Sequence, residues 1–429
     1  MLPRRLFPNR ARVFDPASVT ARADETPPAD LGLAQADVDA IWDAVVAYYR
    51  TGLQPGMQIC VRYRGHVLID RAIGHLRGNG PGERDPSALV PARPDHLFSM
   101  FSASKCVLAM LVHQADDRGL LHLDDPIEEY IDGFGAHGKE HITVRHVLTH
   151  KAGIPALSAD AVDFEVLLDN EAVVERLCGL PLQSHPGREL AYHAVTGGFV
   201  LAEVLRRVTG VGLNELLDRE VRQPLGLQTF RWGVAEEQLD SVARESFTGP
   251  RPPKSVDRLL RSSLGVGVEE AVELSNDSRY LTGVVPSANL IGTANEVCRF
   301  FDLLRSGGEL DGERVFERRT VRRAVAESSY HELDDIIKLP IRYSMGFMLG
   351  SRQLSFYGGG TELAFGHLGF TNVLCWADPS RELSVAFLNN GKPILDPTVV
   401  LWLRIPRVLS STIPLSADGA RGLRPPEAR

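Results

Sequence analysis

No run of 18 apolar residues occurs in this chain of 429, so no transmembrane helix is expected. The start, Met1-Leu2-Pro3-Arg4-Arg5-Leu6-Phe7-Pro8, is basic but lacks an apolar core segment, and no secretory signal is expected. Cysteine is scarce. The five present (Cys60, Cys106, Cys178, Cys298, Cys375) are scattered, odd in number and without metal-ligand spacing. They read as reduced core thiols of a cytoplasmic protein, with Cys106 inert in an apolar helix. Excess positive charge is also missing: a net charge of −8 gives no electrostatic case for nucleic acid. Only six of the 47 basic residues are lysine, which we read as composition rather than function. The remainder, 44% hydrophobic and 24% charged, is ordinary for a soluble globular chain of one large or two modest domains.

Among those few lysines, Lys105 stands three residues after a serine, in Ser102-Ala103-Ser104-Lys105. The apolar run Cys106 to Val112 follows, and Gly119 suits the position past a helix end. Ser102 is therefore expected in the first turn of a mostly buried helix. Residues three apart share a face, which sets the Lys105 amine beside the Ser102 hydroxyl. Serine is a poor nucleophile without an adjacent base, and lysine is a base only when burial keeps it neutral. With 26 serines and six lysines, a chance pair at this spacing is roughly a one-in-three event. The competing reading is an N-capping serine and an ordinary surface lysine.

Along the chain, residues 1–32 lack periodicity and are expected to form a loosely held extension. Asp37–Tyr49 has helical spacing. Met57–Tyr63 and His66–Gly74, joined at Arg64-Gly65, read as an antiparallel hairpin. Residues 106–284 are mostly helical, with Thr143 an N-cap, Gly153-Ile154-Pro155 ending that helix, and Val195–Val208 amphipathic. His141, His146 and His150 invite a metal reading, but no carboxylate or cysteine stands at matching spacing, and no metal is expected. Residues 240–280 read as a polar, irregular flap, and a helix is expected from Ser287. Strands are expected within 343–349, 364–367, 371–377 and 383–389, then a final helix near 399–409 and a disordered tail. Strands at both ends with helices between predict an α/β (α+β) fold. One antiparallel sheet flanked by helices is built from residues 33–105 and 285–410, with an all-helical domain over 106–284 and a tail over 411–429.

Two further stretches suit serine acyl transfer. In Pro186-Gly187-Arg188-Glu189-Leu190-Ala191-Tyr192-His193-Ala194, Tyr192 falls just before a helix. A phenol there beside a lysine is expected to favour its anion and shuttle a proton; the alternative is a core tyrosine. In Phe365-Gly366-His367-Leu368-Gly369-Phe370, glycines let a substrate approach the backbone. The amides of this stretch are expected to complete an oxyanion hole with that of Ser102. His367 reads as a substrate contact or proton carrier, or else as a histidine at a strand bend.

Together these stretches resemble the serine β-lactamase-like superfamily: class C β-lactamases, family VIII carboxylesterases, D-aminopeptidases and related acyltransferases. Its ordered motifs S-x-x-K, Y-x-N and K-T-G, H-x-G or W-G-G stand here as Ser102–Lys105, Tyr192-His193-Ala194 and His367-Leu368-Gly369. Leu121–Pro126, Ile142–His150, Gln223–Leu227 and Pro286–Thr293 also resemble it, so the likeness spans about residues 36–410. It implies a β-lactamase/transpeptidase-like fold and an acyl-enzyme mechanism, with Ser102, Lys105 and Tyr192 catalytic and His367, Gly369 and Phe370 at the substrate or oxyanion. No cofactor is implied, and the partner is a small ester or amide. Two departures matter. Ala194 replaces the asparagine that holds the substrate amide in the lactamases, and His367 replaces lysine, as in the esterases. No G-x-S-x-G elbow exists, against an α/β-hydrolase. Ester hydrolysis is the expectation, with acyl transfer, D-amino-acid amide hydrolysis, weak lactam hydrolysis and a silent binding protein as alternatives.

Overall fold

The computed structural model describes residues 9–154 and 164–416, without the side chains of 259 and 262–264. Expectations for residues 1–8, Pro155 and 417–429 lie outside the described residues. The central sheet is antiparallel. Its strands run in the order Thr20–Arg22, His66–Arg77, Gly56–Tyr63, Leu383–Asn389, Leu374–Asp378, Phe365–Leu368, Met348–Leu349, Pro340–Tyr343 and Ser329–Leu333. The two chain ends meet at its centre, where Leu383–Asn389 pairs residue for residue with Tyr63–Met57. Both of these strands are buried along their whole length.

Period-two alternation explains that burial. Met57, Ile59 and Val61, with Val385 and Phe387, face the helices Gln35–Tyr49 and Arg404–Thr412. Cys60, Ala386 and Leu388 face the other way, onto Val297, Phe300 and Phe301 of the helix Ala294–Arg305. Helices on both faces turn a half-polar pattern into a fully buried one.

Four local expectations are corrected. Residues 9–32 are not loose: Thr20–Arg22 adds an edge strand to His66–Arg77, Val19 and Leu31 are buried, and Glu25 pairs with Arg71 at 2.6 Å. A three-residue strand is too short to leave a period. Residues 240–280 are not irregular but carry the helices Lys254–Leu264, Val268–Leu274 and Ser278–Thr282. Two of the three span two turns or fewer and so carry little pattern. No helix begins at Ser287. Leu290–Gly292 is a strand between Phe98–Ser99 and Arg231–Trp232, and the helix starts only after Thr293, whose hydroxyl accepts from the Glu296 amide. The middle of the chain is not wholly helical, since Arg231–Trp232 pairs with Leu290–Gly292 and Ser246–Phe247 with Gly391–Lys392, both from the C-terminal part of the chain.

Candidate active site

The strand Phe98–Ser99 runs into a tight turn, Phe101–Ala103, that continues as the helix Ser104–Asp117. Phe101 has φ +47°, a left-handed conformation that costs a non-glycine residue energy. Ser104 holds it there: its hydroxyl donates to Phe101 O at 2.5 Å and accepts from the Leu290 amide. That bend sets Ser102 half-buried at the head of the helix.

Lys105 is 8% exposed, which rules out the surface-lysine reading. Its Nζ lies 2.7 Å from Ala194 O, 3.2 Å from Ser287 O and 3.2 Å from Ser102 Oγ. Burial lowers its pKa to about 7. A neutral amine has two N–H groups and one lone pair. The two carbonyls take the N–H groups, so the lone pair is left for the Ser102 hydroxyl. Gly198 permits this closure, because a Cβ there would sit 2.1 Å from Ser287 Oγ.

Tyr192 is also buried, and its phenol has Ser102 as hydrogen-bond partner. Its ring packs edge-on against His150 at 4.8 Å and lies 5.0 Å from Lys105 Nζ. The expectation of a favoured phenolate is corrected: burial pushes the phenol well above its ordinary pKa, and the bond to Ser102 only partly opposes this. Tyr192 is therefore a hydroxyl donor. Asp334 fixes it in place, accepting from the amides of Tyr192, Ile336 and Ile337. Nothing in the sequence marks Asp334, which lies 142 residues away. The carbonyls of Ala194 and Ser287 were equally invisible, since backbone roles carry no residue signature. Tyr192→Phe should keep the ring packing and lower kcat about 10²-fold, as loss of a positioned proton donor does. A kcat within a few-fold of wild type would make the tyrosine structural.

His367 is buried on the strand Phe365–Leu368, its ring 5.8 Å from that of Tyr192. Nδ1 meets Leu368 O at 2.6 Å, and Nε2 has no partner among the described residues. Burial, then the Lys105 charge, lowers its pKa to about 3, so the ring is neutral. Nδ1 donates to the carbonyl, which leaves Nε2 as an acceptor. Gly369 is required by close approach: a Cβ would sit 2.5 Å from Met100 O, two residues before Ser102. The Phe370 amide that follows has no acceptor among the described residues. Phe370 and Ser102 line one cavity of about 120 Å³ with Ala194, Val195, Leu274 and Tyr280. Among the described residues, no lysine, arginine, histidine or carboxylate lines it. Of the three spaced histidines, His150 backs Tyr192, and His146 closes a capping box with Thr143.

The antiparallel sheet and helical layer that carry this site have counterparts of known structure. A family VIII carboxylesterase superposes with a TM-score of 0.74 at 25% identity, over 87% of this chain and 97% of its own. A penicillin-binding protein homologue from Caulobacter crescentus gives 0.76 at 25%, over 91% of this chain and 100% of its own. The esterase/beta-lactamase LipL of Mycobacterium tuberculosis is 29% identical over 338 residues, 74% of each chain. The beta-lactamase family model matches residues 42–408, and the chain belongs to that family. It is a serine-hydrolase family that includes esterases.

Proposed function

We propose that this protein hydrolyses uncharged carboxylic esters through an acyl-enzyme on Ser102. Ser102 Oγ attacks the acyl carbon while its proton passes to the Lys105 lone pair. The amides of Ser102 and Phe370 receive the developing oxyanion. As the carbon–oxygen bond to the alcohol breaks, Tyr192 donates its hydroxyl proton to the leaving oxygen and is reprotonated from Lys105. Water then attacks the acyl-enzyme by the reverse proton path and releases the acid. No metal or cofactor takes part in these steps. The buried amine, anchored by two carbonyls and 3.2 Å from Ser102 Oγ, is the observation that carries the reading. The apolar cavity, with no cation among its described lining residues, supports an ester over a carboxylate-bearing peptide or lactam. Five unpaired cysteines support a cytoplasmic setting.

The pH profile tests the base. Lys105 must be unprotonated to act, so kcat/KM for p-nitrophenyl butyrate should rise with pH through a midpoint near its pKa of about 7 and then level off. An acid limb centred in the carboxylate range would assign the base elsewhere.

Lactams test the substrate class. Ala194 presents a methyl group where the lactamases present an amide, and neutral His367 attracts a carboxylate less than a lysine does. Nitrocefin should therefore have a lower kcat/KM than p-nitrophenyl butyrate on one preparation. A value equal to or above the ester's would make this a lactamase. Ala194→Asn keeps the backbone carbonyl for Lys105 and should move the ratio toward nitrocefin.

A further inference from the structure

The turns bearing Ser102 and Phe370 come from distant parts of the chain, and one buried side chain touches the supports of both. Lys392 is 0% exposed and lies in the short strand Gly391–Lys392, which runs parallel to Ser246–Phe247. Its Nζ sits 2.9 Å from Glu245 Oε2, donates to Asn389 O at 2.6 Å and lies 3.3 Å from Asn389 Oδ1. It also lies 4.7 Å from the centre of the Phe101 ring. Phe101 is the strained residue directly before Ser102, and its ring meets that of Phe370 at 5.5 Å. On the other side, Asn389 Nδ2 donates to Asn372 O at 2.9 Å. The Asn372 amide donates to Phe370 O at 3.1 Å, and its side chain bonds the Tyr48 hydroxyl. Lys392 thus reaches Ser102 through Phe101, and Phe370 through Asn389 and Asn372.

No step of ester cleavage uses this second buried amine. An unpaired ammonium at such depth is prohibitively costly, and Glu245 supplies its counter-charge. Burial pushes the Glu245 carboxyl up and the Lys392 amine down, and each partner's charge opposes that drift. A methionine of similar length would fill the space, but it could neither donate to the Asn389 carbonyl nor hold the Phe101 ring by charge. We propose that Lys392 is a positioning residue that sets the spacing between the Ser102 and Phe370 amides, and so the geometry of the oxyanion hole. The proposal rests on the acyl-enzyme reading above.

Acylation and deacylation both pass through an oxyanion, so misplaced donors lower kcat rather than ground-state binding. The test is Lys392→Met combined with Glu245→Gln, which leaves no buried charge unpaired, measured against the wild type. With p-nitrophenyl butyrate, kcat should fall about tenfold to a hundredfold, as misplacement of about 1 Å does, with KM within threefold. The rate of fluorophosphonate labelling should fall by a similar factor. A kcat within threefold of the reference, or a change confined to KM or to melting temperature, overturns the proposal. If the double variant does not fold, Asn389→Ala decides: it keeps the ion pair and cuts the link to Asn372. The same kcat loss supports the positioning role, and an undiminished kcat overturns it. Ser102→Ala separates the two layers. If it stays active, the acyl-enzyme reading fails; if it is dead while the Lys392 variant keeps its kcat, only the positioning role fails.

Discussion

Ser102→Ala should lose ester hydrolysis by about 10⁴-fold or more, because no other group can form the covalent intermediate. The change removes one hydroxyl from a half-buried site, so circular dichroism and melting temperature should stay close to wild type. The lysine keeps its two carbonyl partners. A fluorophosphonate probe should label the wild type on Ser102 and leave the variant unlabelled. That measurement also addresses the silent-binder alternative, since a binding protein would not be labelled in either form. Retention of more than a small fraction of the rate would place the nucleophile elsewhere.

Lys105→Met should cost about 10²–10⁴-fold in kcat, the usual worth of a positioned base. Ser102 would remain, but nothing near it could take its proton. Tyr192 cannot substitute, because its phenol stays protonated at neutral pH. The residual rate should lose the acid limb near pH 7, since that limb belongs to the amine. The variant also leaves two buried carbonyls without their donor, so a lower melting temperature is expected at about 1–3 kcal/mol per unsatisfied group. A residual rate that kept the same limb would show that another group titrates there.

The sheet strands could be read because they are short β-rich runs bounded by turn signals, as in Gly56–Tyr63 and Leu383–Asn389, which helices on both faces bury along their whole length. The edge strand Thr20–Arg22 and the strand Leu290–Gly292 were not legible. Each has three residues, and its partner lies far along the chain. The phenolate expectation for Tyr192 failed for a related reason. It assumed a charged lysine and an open helix end, whereas both groups are buried together.

By itself, the sequence determined which chemistry was available. One of six lysines sits one helical turn from a serine, and the tyrosine and the histidine–glycine turn follow in fixed order. Spacing within a helix is local, so the Ser102–Lys105 contact needs no tertiary knowledge. The state of those groups was decided only by the fold. Burial in the surrounding core lowers the lysine pKa to about 7, so the amine gives up its proton near neutral pH while the Ala194 and Ser287 carbonyls hold it in place, and tyrosine is protonated because it is buried with it. Asp334 behind Tyr192 and Lys392 beneath Phe101 belong to the same class. A buried charge or backbone carbonyl acts across space, and its partner can stand hundreds of residues away without any pattern to announce it.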